Sequence, residues 1–569
     1  MKLTRLLAGI AALGLAASAQ AETLLDNIDG ITVARDGTVT RFTAMVFDEE
    51  NGRILQIIGR GERKPERPQY RIDGRNRTVV PGMIDAHGHV MGIGLAALSL
   101  DLTQTASLAD AQTVAAAYAQ QYPERPWLVG RGWNQETWGL GRFPTAAELD
   151  MAVGDRPVAL ERVDGHALWV SSAALRLAGI TRATPDPAGG RIERDAAGNP
   201  TGVLVDAAMA LVEAQIPPPR AVDRDLALAK TQQLLLARGV VGMADMGTSI
   251  EDWQSFRRAG DAGWLQMRIM AYASGIDAML LIGGPGPTPW LYDDRLRLNG
   301  VKLYLDGALG SRGALLKEPY HDDPQHRGLA LLSPAELRNK MSRAAMDDFQ
   351  VAVHAIGDAA NREALDAIEE LSSSYTGDRR WRIEHAQVVD PVDIARFGRH
   401  GAIASMQPVH QTSDRLMAEA RLGPDRLDGA YAWQSIAAAG APLAFGSDAP
   451  VELPDPWAGL AVAISREDAD GQPFGGWLPE ERVTRQQALA AYTSGAAHAG
   501  FADGLFGELR EGQRADFLFV DRDPLLVSAA DLRAMTVLET WIAGRKVYDA
   551  GAGEVDAEIA PEYGPDEGR

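Results

Sequence analysis

The 569-residue chain contains no cysteine. That excludes disulfides, thiolate metal ligands, a thiol nucleophile and a lipid-anchored cysteine, so any metal must be held through nitrogen and oxygen. Basic side chains are in short supply as well, 56 Lys and Arg against 77 Asp and Glu, which leaves a formal charge of −21. A balance of that sign argues against nucleic acid or an anionic membrane as partner, and for solubility. Long apolar runs are also missing: no stretch reaches the roughly 20 residues needed to cross a bilayer. The hydrophobic fraction is nonetheless 46%, enough for a large buried core, and the length exceeds that of one small domain.

The longest apolar run stands at the N-terminus. Met1-Lys2-Leu3-Thr4-Arg5 precedes an apolar segment over 6–17 and then Ala19-Gln20-Ala21. A basic start, a short apolar middle and a small-x-small site, in that order, read as a secretory leader over 1–21 that is cleaved to give a chain starting at Glu22. Loss of Lys2 and Arg5 takes the formal charge to −23, since the leader holds no acidic residue. The product is expected to be soluble and exported, in the periplasm, with no membrane insertion after cleavage.

Short alternating stretches at 30–33, 41–47 and 53–58, broken by turn-forming residues, read as strands of a small sheet, and the texture returns at 516–520 and 537–547. The two ends are expected to complete one β-sandwich domain, from 22–79 and 501–550, around a core over 80–500. The Gly- and acid-rich tail over 551–569 is expected to be mobile. Within the core, eight strand-like runs occur at 79–89, 239–246, 265–273, 300–307, 350–357, 380–387, 401–408 and 441–448. Helical texture at 334–348, 359–371 and 390–400 alternates with the later ones. This is the pattern of an α/β fold, a (β/α)₈ TIM barrel. The gap between the first two runs is too long for a structureless loop; it has its own elements at 127–132, 157–161 and 169–178 and is read as an insertion over about 95–235.

In such a barrel, catalytic groups project from the C-terminal ends of strands, and candidate ligands fall there. His87 and His89 end the first run, and an i, i+2 spacing on extended chain turns both imidazoles to one face. Lys302, His354, His385 and Asp448 fall in the fourth, fifth, sixth and eighth runs. Four histidines and an aspartate can supply one complete site for a zinc-class ion or most of two. Lys302 has two readings. As an ammonium it is a snorkelling or Asp306-paired lysine; as an amine it can take up CO₂ to give a carbamate, a carboxylate-like anion able to bridge two cations.

The chain resembles the amidohydrolase superfamily, and within it the amidohydrolase family 3 group that includes N-substituted formamide deformylases. The motifs that carry the likeness are Pro-Gly-Met-Ile-Asp-Ala-His-Gly-His (81–89), Gly-His-Ala-Leu-Trp-Val-Ser-Ser (165–172), Val-Lys-Leu-Tyr-Leu-Asp-Gly-Ala-Leu-Gly-Ser-Arg-Gly-Ala (301–314), His-Ala-Ile-Gly-Asp (354–358), Arg-Ile-Glu-His-Ala-Gln (382–387), Ser-Met-Gln-Pro-Val-His (405–410) and Phe-Gly-Ser-Asp-Ala-Pro (445–450). The resemblance implies a metal-dependent barrel flanked by a β-sandwich. It also implies two divalent ions of the zinc class, with His87 and His89 on the more buried one, carboxylated Lys302 as the bridge, His354 and His385 on the second, and Asp448 in contact with metal and nucleophile.

The expected chemistry is hydrolysis of a non-peptide C–N bond in a small-molecule amide. A hydroxide bridging two cations is nucleophilic near neutrality, because cations lower the pKa of bound water from about 15.7 to roughly 7. Asp448 would take its proton and pass it to the leaving nitrogen. His166, in the insertion, and His410, after the seventh run, are candidates to hydrogen-bond the carbonyl or the developing oxyanion, each set against a structural histidine. Arg312 is placed between a substrate carboxylate and an ordinary ion pair, and Trp133, Asn134 and Trp138 between an apolar pocket wall and core. Asp358 and Glu384 are candidates to orient the ligands. His321 and His326 depart from the family pattern and read as solvated loop residues. The rival readings are an esterase, lactonase, cyclic-urea hydrolase or dipeptidase on the same site, and an exported binding or regulatory protein without catalysis; a homodimer is allowed.

N-terminal sequencing of exported material should read Glu-Thr-Leu-Leu. An intact Met1 on membrane-bound protein would contradict the leader.

Overall fold

The computed structural model describes residues 22–163, 165, 167–187 and 190–552. The expected leader, the tail from 553 and His166 lie outside the described residues. Eight parallel strands form the centre: Met83–Gly88, Val240–Thr248, Arg268–Ser274, Leu296–Tyr304, Gln350–Ala355, Arg382–His385, Ile403–Met406 and Leu443–Phe445, each paired with the next in chain order. They are buried along nearly their whole length. Runs rich in Val, Ile, Ala and Met suit a parallel sheet covered on its outer face by helices. Those helices start where the sequence stops the strand: Ser333 and Glu336 cap Pro334–Met346 reciprocally, and Asp390 caps Pro391–His400 by accepting from Val392 N at 3.1 Å.

The first and eighth strands share no ladder, and the barrel closes just beyond them. Asp448 N donates to His87 O at 2.7 Å and His89 N donates to Ala449 O at 2.9 Å. Asp85 ties the same seam, accepting from His87 N and Ser447 N at 3.0 Å each. A Cβ on Gly446 would lie 2.5 Å from His87 N, so only glycine lets the strands come this close.

The expected first run, 79–89, proves to be two strands. Tyr70–Pro81 belongs to the sheet of the chain ends, and the barrel strand begins at Met83. At the switch, Gly82 N donates to Asp516 O at 3.0 Å and a Cβ there would sit 2.5 Å from Val241. The two chain ends build one sheet of eight strands, with the long strands Glu22–Val33 and Tyr70–Pro81 at its middle. All eight belong to one hydrogen-bonded sheet, with Val39–Phe42 paired to Glu22–Val33 off its main path. A bulge between Asp26 and Ile28 kinks the long first strand, and such bulges bend a sheet locally.

Between the first two barrel strands lies a separate six-stranded sheet spanning Leu100–Asp101 to Pro200–Asp206. The element expected at 169–178 resolves into the strand Ala167–Val170 and a short helix, Ser172–Leu177. Trp133 and Trp169 are fully buried in this unit, and Trp138 packs 6.1 Å from Trp169, so these rings form the insertion's own core. Asn134 accepts from Glu136 N and shapes the turn after Trp133.

A buried ion pair ties the barrel to the end sheet. Arg268, in the third barrel strand, donates from Nε and Nη2 to Asp516 at 2.6 and 2.8 Å, and both side chains are almost wholly buried. Asp516→Ala leaves that guanidinium buried and unpaired, and denaturant unfolding should show a loss of about 3–5 kcal/mol. A loss below about 1 kcal/mol would show that water reaches the pair.

Candidate functional site

The fold brings His87, His89, Lys302, His354, His385 and Asp448 together at the C-terminal ends of the strands. His87, His385 and Asp448 each offer a ligand atom, all within 4.8 Å of one another. The His385 ring lies 4.6 Å from both the His87 and the His354 rings. Lys302 Nζ stands 3.1 Å from His87 Nε2. Asp448 Oδ1 lies 3.1 Å from His89 Nε2 and 3.4 Å from His87 Nε2. His385 and Asp448 reach these positions in the left-handed backbone region, with φ of 74° and 59°. Such conformations cost on the order of 1–3 kcal/mol each and are held by surrounding structure. The surroundings here are the closing seam at Asp448 and, at His385, the hydrogen bond of its Nδ1 with Gln407 Oε1 at 2.8 Å.

Burial dominates the electrostatics. It draws His354 down to about 3, with the charges of Lys302 and His87 adding to the effect. Burial likewise pulls His385 well below the usual imidazole range and lowers His87. All three are neutral near pH 7, with lone pairs free for a cation. Burial lowers Lys302 to about 8 against the opposing pull of Glu384 and Asp448. Asp448 keeps its charge: burial works to raise it, yet the imidazoles of His87 and His89 close beside it hold it well below the carboxylate range.

Asp306 makes no ion pair with Lys302. It accepts from the backbone N–H groups of Leu315, Ile356 and Gly357 at 2.8–3.0 Å, and buries its carboxyl 3.6 Å from His354 Nε2. Burial raises it to about 7 despite those donors. His354 Nε2 has no hydrogen-bond partner among the described residues and is fully enclosed. An orphaned imidazole nitrogen beside neutral His87 and His385 and ionised Asp448 is a donor set that fits a divalent cation of the zinc class.

Glu384 orients His87. Its Oε2 lies 2.6 Å from His87 Nδ1, which turns Nε2 toward Lys302 and Asp448. Arg382, two residues earlier on the same strand face, donates to both Glu384 oxygens, and all three side chains are fully buried. Burial works to raise Glu384, but Arg382 and His87 hold it well below the usual range. Asp358 does not join this group; it accepts from Lys317 N at 2.8 Å. Arg312 pairs with Asp322 at 2.9 Å. His321 and His326 are exposed.

His410 is buried beside the centre, its Nε2 3.7 Å from Asp448 Oδ2 and its ring 6.1 Å from that of His385. Sequence reasoning missed Arg382, Gln407, Gln387 and Tyr304. The Tyr304 ring packs 5.5 Å from His354 and 5.0 Å from Lys302 Nζ while 42% exposed, placing a phenol at the rim. Its i, i+2 spacing from Lys302 was the available signal.

Comparison with known proteins agrees with this picture. Residues 71–548 match the family described as Amidohydrolase family. The chain is 34% identical over 525 residues to Protein LONG AFTER FAR-RED 3 of Arabidopsis thaliana, covering 88% of this chain and 87% of that protein. It is 29% identical over 525 residues to N-substituted formamide deformylase of Arthrobacter pascens, covering 88% and 94%. An uncharacterized metal-dependent hydrolase from Pyrococcus furiosus superposes with a TM-score of 0.74 at 28% identity, over 89% of this chain and all of that one. The match of fold, of the greater part of the chain and of relatives on this scale makes the protein a member of the amidohydrolase family.

Proposed function

We propose that this protein is a metal-dependent hydrolase of a non-peptide C–N bond, acting on a small-molecule amide. The observation that carries the reading is the set of three buried, neutral imidazoles packed around an unpaired buried lysine, with an ionised Asp448 beside them. Likeness to a formamide deformylase supports the choice of bond. His87, His89, His354, His385 and Asp448 would hold the cations, two of the zinc class, with Lys302 completing the set as a carbamate. When bound, such cations supply Lewis acidity and acidify water.

The protein's own groups do the rest. Lys302, lowered to about 8 and free of any carboxylate partner within ion-pair distance, has an appreciable amine fraction near neutrality; the amine adds to CO₂ and loses a proton, giving the carbamate. Asp448, held ionised, takes a proton from the attacking water and delivers it to the leaving nitrogen as the C–N bond breaks. His410 faces Asp448 and is placed to hydrogen-bond the carbonyl oxygen. Export to the periplasm rests on the leader sequence alone.

Asp448→Asn keeps the shape but cannot take the proton, so turnover of the best substrate in an amide panel should fall by on the order of 10² or more while the fold survives. Unchanged turnover would move the proton elsewhere, and esters outrunning every amide would refute the bond. Lys302→Ala should lose metal and activity and recover part of both with added short-chain carboxylates. Full activity without them would remove Lys302 from the centre.

A further inference from the structure

A second line of polar side chains leads away from the histidines behind the sixth and seventh barrel strands. Gln387 is almost wholly buried, and its Nε2 lies 3.1 Å from His410 Nδ1 and 3.5 Å from Asp414 Oδ2. The Tyr431 hydroxyl donates to the same Asp414 oxygen at 2.7 Å, and Tyr431 N donates to Gln387 O at 2.7 Å. His410 and Asp414 stand one turn apart on the helix Pro408–Leu422, so one Gln387 side chain reaches both.

A neutral imidazole carries one proton, and the nitrogen that accepts a hydrogen bond is the one without it. Asp414 Oδ2 already takes the Tyr431 O–H and is an acceptor, so Gln387 must turn its NH₂, not its carbonyl oxygen, toward it. The same NH₂ then donates to His410 Nδ1. The His410 proton is thereby confined to Nε2, the nitrogen that faces Asp448. That Nε2 is enclosed and has no hydrogen-bond partner among the described residues. A buried donor left unmatched is destabilising, and the penalty is relieved when an acceptor atom enters the centre.

We propose that Asp414 and Gln387 are positioning residues that lock His410 in its Nε2–H tautomer, so that it presents a hydrogen-bond donor to a substrate carbonyl oxygen. The identity of that oxygen rests on the amide-hydrolase reading; the tautomer rests on Tyr431, Asp414 and Gln387. The relay makes His410 a donor and withholds it from service as a ligand or a base, since Nε2 has no free lone pair.

Two-bond ¹H–¹⁵N correlation spectra of the full chain carrying ¹⁵N-histidine and loaded with zinc read the tautomer directly, with His410 assigned by its loss in His410→Gln. The expected spectrum has a bare Nδ1 and a protonated Nε2. Gln387→Glu, made together with Asp414→Asn so that a single carboxylate remains, offers Nδ1 only an acceptor, so the proton should move to Nδ1, and kcat on the amide should fall by on the order of 10² with KM changed less than about threefold. A wild-type His410 protonated at Nδ1 or metallated at Nε2 would overturn the proposal, as would a tautomer that the double variant leaves in place. The wild-type spectrum decides the matter even if the variant does not fold. A chain that shows this tautomer but turns over no amide would refute the reaction and support the relay.

Discussion

A buried chain of charge, Arg382 to Glu384 to His87, governs the site. Taking a guanidinium and a carboxylate out of water is expensive, and the pair is viable only because every polar group around it is used. Arg382 also donates to Ala86 O, Ser405 Oγ and Tyr272 OH at 2.7–3.1 Å, which ties the sixth barrel strand to the first, seventh and third. Glu384 spends its remaining capacity on His87 Nδ1, and so fixes which nitrogen of His87 faces inward. With that nitrogen aimed at Lys302 and Asp448, the rest of the ring has a fixed reference.

The barrel's closing seam is the second constraint, and it coincides with the site. Asp448 is bound through its backbone to His87 O, and Asp85 clamps both strands from beneath. The ligand carboxylate and the first histidine are therefore set relative to one another by the bonds that close the barrel. Burial does the remaining tuning: the same loss of water that keeps His354 and His385 neutral lowers Lys302. One desolvated environment thus keeps the imidazoles neutral and raises the amine fraction of the lysine.

The barrel was legible because its strands are buried on both faces and read as apolar runs, five of which carry a polar residue at or near the mouth. His87, Lys302, His354, His385 and Asp448 stood out for that reason. The split at Gly82 was hidden because strands of two different sheets abut with a single residue between them, in one unbroken apolar stretch. Much of Tyr70–Pro81 escaped notice because its charges, Arg71, Asp73, Arg75 and Arg77, mask a strand that is exposed over its first half. Trp133 and Trp138 stood between pocket wall and core because composition does not say which way a ring faces. Gln387 and Gln407 stood inside the quoted motifs without a role, since an amide that sets a tautomer has no characteristic spacing. Their roles appear only when the sixth and seventh barrel strands are laid side by side.

The central claim is that this desolvated cluster is a hydrolytic centre that works through bound metal. Its most direct test is the metal content of the purified protein, measured by mass spectrometry alongside amide turnover before and after chelation. The account predicts divalent metal bound to the chain, loss of turnover when it is stripped, and recovery when zinc is returned. A metal-free chain that hydrolyses the amide at full rate would contradict it.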